Sequence, residues 1–201
     1  LRFEDLTSDA VSVAGQCLLD WFAVTIAGAS EPLVRMLVAE AIEEGGIERA
    51  SLIGAGRGTL AQAALINGAA GHALDYDDVH QAMKGHPTVP LVPAILALGE
   101  SLGANGRDLV TAFVAGYESE CRIGLLVAPG HYGRGFHATA TIGCFGAAAA
   151  SANLMGLDAE ATARALGIVG TQAAGLKSQF GTMCKPLHAG HAAASGLQAA
   201  R

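Results

Sequence analysis

The segment Ala138–Leu157, ATATIGCFGAAAASANLMGL, carries no charged residue and includes four consecutive alanines, Ala147–Ala150. Alanine is the best helix former, but its side chain is too short to bridge a wide gap. A helix built this way buries its surface only if neighbouring helices come close, so they must present small residues too. The rest of the chain agrees, with 27 glycines among 201 residues and aromatics at only 5%. An uncharged stretch of this length could also imitate a membrane span, but a bilayer core favours Leu, Ile, Phe and Val over Ala, Gly, Thr and Ser. The expectation is a buried core helix, no membrane crossing, and an all-α fold, a helical bundle packed through small residues.

The remaining helices follow from caps and periodicity. Thr7 or Ser8 caps a first helix bearing Cys17, Leu18, Trp21 and Val24 and ending near Gly28. Ser30 is expected to cap the next, with Pro32 in its first turn and Gly45–Gly46 as its stop. ASLIG at Ala50–Gly54 suits a short extended piece, and a small-residue helix is expected from about Thr59 to Gly68. Pro93 is placed in the first turn of a helix reaching Leu102. Further helices are expected around Leu109–Glu120, from the Asp158 cap to about Ala173, and at the C-terminal end, which is still helix-like at Arg201. Residues 1–201 are therefore expected to be part of a longer protein.

Three irregular stretches interrupt this pattern, and each brings proton carriers or cations. GHALDYDDVHQAMKGHPTVP holds Asp75, Asp77, Asp78, His72, His80 and His86, although charged residues are only 15% of the chain. APGHYGRGFHAT brings His131, Arg134 and His137, and GLKSQFGTMCKPLH brings Lys177, Lys185 and His188. Loops gathered at one end of a bundle can build a pocket from distant segments. Paired imidazoles suit a general acid and a general base, and lysine suits a carboxylate or a developing enolate. Plainer roles compete. His72, His131 and His191 fit hydrogen-bonded structural histidines, and Asp77 and Asp78 fit side chains that bond their own loop.

Several other chemistries are disfavoured. A net charge of −6 with no basic cluster argues against a nucleic-acid partner. A calcium loop beginning at Asp75 would have His80 and His86 where Gly and Glu are required. GAGRGT at Gly54–Thr59 misplaces the third glycine of a dinucleotide fingerprint. A zinc site from His80, His86, His188 and an Asp has no supporting spacing, so no metal is expected. Cys17, Cys121, Cys144 and Cys184 are scattered, which suggests buried thiols in a reducing cytoplasm, with Cys184 a buried bystander beside Lys185.

NGAAGHALDYDDVH…GHPTVPLVPAILALGE, GRGFHATATIGCFGAAAASANLMGLD and GTQAAGLKSQFGTMCKPLHAGHAA, in this order, resemble the MmgE/PrpD family. That family includes 2-methylcitrate dehydratase, cis-aconitate decarboxylase and iminodisuccinate epimerase. The resemblance implies a large all-helical domain, of which residues 1–201 are the N-terminal part, and a smaller α+β lid absent from this chain, usually in a homodimer. It also implies an enzyme without metal or organic cofactor, acting on a small di- or tricarboxylate by proton transfer beside a carboxylate. Carried over motif by motif, Asp75 is the first Asp of D-[FY]-D-D, His86 the His of H-P, His137 the His of G-F-H, and Lys185 the Lys of K-P-L-H. His86 and His137 would then serve as acid and base in unassigned order, Lys185 as carboxylate holder, and Asp75 as orienting or binding group. Tyr76, Asp78 and His188 are further candidates for substrate contact. The threonine that often follows D-D in the family is Val79 here. Dehydration of a 2-methylcitrate-like acid stands first, with epimerisation, cis-aconitate decarboxylation and a non-catalytic carboxylate-binding or scaffold module as alternatives.

Overall fold

The computed structural model describes residues 1–201. Its helices are α1 (Ser8–Gly28), α2 (Pro32–Glu44), α3 (Leu60–His72), α4 (Thr88–Leu102), α5 (Gly106–Val127), α6 (Gly130–Gly133), α7 (Ala138–Thr141), α8 (Gly143–Leu154), α9 (Ala159–Gly170) and α10 (Cys184–Ala200). The only sheet is a hairpin of β1 (Ala50–Leu52) and β2 (Gly56–Gly58), antiparallel with Ser51 opposite Arg57. The all-α expectation holds. The hairpin is tied to α3 by the buried Asn67, which donates to the Ser51 carbonyl at 2.8 Å and accepts from the Ile53 N–H at 2.9 Å.

The centre of the bundle is α3, α4, α8 and α10. Side chains from all four, among them Ile66, Leu98, Ala147, Ala193 and Leu197, share one buried cluster. Small residues permit this closeness. A Cβ added at Gly190 of α10 would lie 2.2 Å from the Leu65 carbonyl oxygen of α3, and one at Gly196 would lie 2.4 Å from the Ala147 Cβ of α8. The α8 alanines are consequently shielded on every side, as expected of a helix apolar all round.

Helix starts and stops differ from the sequence-based expectation in informative places. The uncharged stretch is not one helix but two, α7 and α8, meeting at Ile142. The Thr141 hydroxyl donates to the His137 carbonyl at 3.0 Å, a side-chain competition that bends helices. Pro93 lies inside α4 rather than in its first turn, because Asp78 starts that helix earlier by accepting from Thr88 N–H and Oγ1 at 3.2 and 2.6 Å. Glu31, not Ser30, occupies the N-cap of α2, without a side-chain hydrogen bond. α3 continues past Gly68 to His72, and α9 stops at Gly170 rather than Ala173. Cys184 is exposed, not buried, since it begins α10 at the solvent-facing end of the helix. α1 is long and apolar enough to span a membrane by length and composition. Its apolarity also serves packing, because Trp21 and Val24 are buried within the bundle.

Glu120 on α5 is wholly buried, and neither carboxyl oxygen has a hydrogen-bond partner. Burial pushes its pKa well above the usual carboxylate range, with Asp78 adding repulsion. The folded state thus holds a proton that the unfolded chain releases above its own carboxylate pKa. Stability from this group is complete at low pH and falls as pH rises. Thermal unfolding of Glu120→Gln should show a midpoint that exceeds the wild type by a margin growing from pH 5 to pH 8. A constant margin across that range would mean that Glu120 does not bind this proton.

Candidate functional site

The site lies where the end of α3, the start of α4, the start of α7 and the start of α10 converge. Backbone contacts lock the three irregular stretches against one another. The His86 N–H donates to Thr139 Oγ1 at 3.1 Å, the His137 N–H to the Gly175 carbonyl at 3.0 Å, and the Lys177 N–H to the Gly135 carbonyl at 2.8 Å. Two glycines make the approach possible. A Cβ at Gly85 would sit 2.9 Å from the Thr139 nitrogen, and Gly175, at φ +148°, would bring one 2.8 Å from the Ala140 Cβ.

Around this junction are four imidazoles, two carboxylates and an ammonium. Asp77 is buried, and its carboxylate oxygens lie 2.9 and 3.0 Å from His72 Nδ1. One of the same oxygens is 3.3 Å from His86 Nδ1, which is also 3.3 Å from the Asp77 carbonyl oxygen. His86 Nε2 faces the other way, 3.7 Å from Asp75 Oδ1. Asp75 pairs with Lys185, in a left-handed backbone conformation (φ 59°) that few residues other than glycine, asparagine and aspartate adopt readily. The His72 ring stacks on His137 at a centroid distance of 5.7 Å and meets His86 edge-on at 4.6 Å. His137 Nδ1 lies 3.2 Å from His188 Nδ1, and the Phe180 ring closes the far side of His137 at 4.9 Å.

These surroundings set the charges in opposite directions. Burial alone would raise Asp77, yet the hydrogen bonds from His72 and His86 overcome it and hold the carboxyl well below its usual range. Burial alone would lower His86, but its contact with Asp77 outweighs that and raises it, despite opposition from Lys185. His137 has no carboxylate partner. Burial first, then the neighbouring His72, His188, Lys185 and His86, pushes it down to about 2. Burial lowers His188 as well, with His191 and His72 contributing. The free site therefore favours a protonated His86 beside a neutral His137.

The candidate residues divide by placement. Asp75, His86, His137, Lys185 and His188 come together, with Lys185 and His188 on the first turns of α10 rather than in the preceding loop. Asp78 turns away to cap α4, Tyr76 projects outward at 58% exposure, and Val79 is likewise exposed. His80 accepts from the Met83 N–H at 3.1 Å within its own turn, while His131 contacts Thr141 Oγ1 at 2.6 Å and stacks on Phe136. Lys177 donates to the Tyr132 carbonyl. Asp77 and His72, given plain structural roles above, stand at the centre of the cluster. The only hint in the sequence is that both lie within the titratable knot, five positions apart.

Ligand-type atoms of His72, Asp75, Asp77 and His86 all fall within 4.8 Å of one another, a grouping able to hold a cation. In the free site their charges are already matched, Asp77 by two imidazoles and Asp75 by the Lys185 ammonium, which would repel a metal at that position. A cavity of about 340 Å³ opens beside Asp75 and Lys185, between the starts of α2 and α10, and His72 forms part of its wall. A larger cavity of about 610 Å³, lined by Arg2, Asn105 and Arg107, contains none of the clustered residues. Of the clustered residues, His72, Asp75 and Lys185 line the first cavity.

Comparison with known proteins shows the family. The MmgE/PrpD N-terminal domain matches residues 1–201. The chain belongs to the MmgE/PrpD family. Its relatives in that family include the cis-aconitate decarboxylase-like protein oryM of Aspergillus oryzae, 35% identical over 98% of this chain and 43% of the relative. Cis-aconitate decarboxylase of Aspergillus terreus is 33% identical over 98% of this chain and 42% of its own length. The human cis-aconitate decarboxylase is 35% identical over 69% of this chain and 30% of its own length. This MmgE/PrpD chain thus spans less than half the length of the relatives it matches.

Proposed function

We propose that the protein is a lyase for a small di- or tricarboxylate, working by proton transfer at a carbon beside a carboxylate, without an organic cofactor. The observation that carries this reading is the convergence of His86 and His137 on either side of the His72 ring, with the Lys185 ammonium paired to Asp75 beside His86. Despite burial, contact with Asp77 raises the proton affinity of His86, and burial lowers that of His137. His86 serves as the acid, delivering its proton from Nε2, which faces Asp75. His137 serves as the base through its neutral imidazole. An arriving anionic substrate raises the proton affinity of that ring toward the working range. Lys185 exchanges Asp75 for a substrate carboxylate and covers the charge that builds on it.

Decarboxylation of a cis-aconitate-like acid stands first, supported by the names of the relatives above. In that reaction the electrons of the breaking carbon–carbon bond pass into the unsaturated system, and the resulting carbon must receive a proton, which His86 supplies. Dehydration of a 2-methylcitrate-like hydroxy acid is the second reading, favoured by the neutral His137. It needs both a base at carbon and an acid at the leaving hydroxyl, and the site offers both. A cytoplasmic homodimer belongs to the same proposal. Its support is four free thiols and an apolar outer face on α1 and α2 that includes Leu19, Ile26, Met36 and Ile42.

The test is proton NMR of the intact protein in deuterated water with cis-aconitate, 2-methylcitrate, citrate and iminodisuccinate in turn. Itaconate signals from cis-aconitate are the expected result, with deuterium at the newly protonated carbon. A new vinylic signal from a hydroxy acid would establish the dehydratase instead. Deuterium entering iminodisuccinate without net loss would make the protein an epimerase and overturn the lyase reading. No change in any of the four would overturn it in favour of a carboxylate-binding module.

A further inference from the structure

We propose that Asp77 and His72 are a positioning pair for His86, holding its Nδ1 inward and its Nε2 toward the substrate side. The inference rests on the reading of His86 as the proton donor. Asp77 is only 4% exposed, and its carboxylate faces two imidazoles and no other cation. With the His86 Nδ1–H given to Asp77, Nε2 is the nitrogen left to meet a substrate. Without the carboxylate, Nδ1 keeps only the neutral Asp77 carbonyl oxygen at 3.3 Å, and the ring is held less firmly.

His72 is the part of the pair that the backbone makes rigid. It is the last residue of α3, the helix that lies against Gly190 of α10, and its side chain is fully buried. Its Nδ1 is spent on Asp77, while Nε2 is buried with no partner. A histidine serving only to fill space would not leave one ring nitrogen unsatisfied, since burying an unpaired polar atom carries a penalty. The cost is tolerated where the ring does something apolar residues cannot. It donates to Asp77, keeps that carboxylate aimed at His86, and separates the His86 and His137 rings by stacking on one and meeting the other edge-on. The charged and titratable groups facing His86 are Asp75 and Asp77 of its own loop, His72 of α3, His137 before α7 and Lys185 of α10. Of these, Asp77 alone bonds the inward nitrogen.

The experiment is steady-state kinetics against pH on the intact protein carrying Asp77→Asn, His72→Asn or His72→Leu, each checked for folding by circular dichroism. Asp77→Asn should lower kcat by about 10²-fold or more, as when the carboxylate orienting a reactive imidazole is neutralised, with KM changed less than about threefold. Activity needs protonated His86, so the alkaline limb of the kcat profile should move to lower pH once the carboxylate charge is removed. His72→Asn places an amide N–H near the former Nδ1 and should keep clearly more activity than His72→Leu. Wild-type kcat and an unmoved limb in Asp77→Asn would overturn the proposal. Should Asp77→Asn not fold, equal kcat in His72→Leu and wild type would overturn it. If the wild type turns over none of the substrates, the lyase reading is what fails. The pair is then judged by ¹⁵N NMR of the His86 ring, and stands only if Asp77→Asn changes its tautomer or its titration.

Discussion

With a substrate whose turnover begins by loss of a proton from carbon, His137→Ala should lower kcat by roughly 10² to 10⁴ while leaving KM within a few-fold of wild type. The ring is buried at the N-cap of α7 and contributes no side-chain hydrogen bond to that helix, so its removal spares the local backbone. What disappears is the neutral imidazole between His72 and His188. Substrate carboxylates are expected on Lys185, on a different element, so binding should persist. Loss concentrated in kcat is the signature of an interaction made in the transition state rather than in the ground state. Steady-state kinetics with the substrate identified by NMR is the check. Wild-type turnover in the variant would remove His137 from the mechanism. His137→Gln, which retains bulk and an amide, should be nearly as impaired, because an amide does not accept a proton near neutrality.

Gly190→Ala should destabilise the fold by about 2 to 3 kcal/mol, and Gly190→Val by more. The added Cβ would meet the Leu65 carbonyl oxygen at 2.2 Å and the Ala69 nitrogen at 3.1 Å. Both are backbone atoms of α3, so no side chain can rotate away and the two helices must separate. Separation would loosen the cluster that holds Ile66, Ala193 and Leu197, and would shift His72 at the end of α3 relative to Lys185 on α10. The gain from replacing a helical glycine by alanine, about 1 kcal/mol, offsets only part of this. Gly167 is the internal control. It lies on α9, exposed, with nothing within 4 Å of an added Cβ, so Gly167→Ala should stabilise by about 0.5 to 1 kcal/mol. Urea unfolding of both variants measures the contrast. Equal effects at the two positions would mean that close packing of α3 on α10 does not limit stability.

The helical class was legible because it depends on local properties. Thr7, Thr59, Asn105 and Asp158 each accept from backbone N–H groups at the start of their helices, the interaction their residue types favour wherever the chain places them. The need for close packing was legible from alanine and glycine content alone, since short side chains bury area only at short range. Where neighbours set the boundary, the local signals misled. Pro93 is compatible with a first turn, but Asp78, ten residues before Thr88, began the helix sooner. The uncharged stretch suited one helix, but the Thr141 hydroxyl, bonded back to the His137 carbonyl, divided it.

The site divides along the same line. Residue types and their clustering in three irregular stretches marked where proton transfer could occur, and family motifs singled out Asp75, His86, His137 and Lys185. Three aspartates within four positions are chemically alike in the sequence, yet they end with different partners. Asp75 meets an ammonium, Asp77 two imidazoles and Asp78 a helix start. That division depends on the path of the loop backbone, which is held by a bond from His86 to Thr139, 53 residues away, and by Gly85 lying flat against the start of α7. The sequence by itself determined which groups can carry protons; tertiary structure alone decided their partners, because a charge is set by whatever lies within a few ångströms, and those neighbours come from distant parts of the chain.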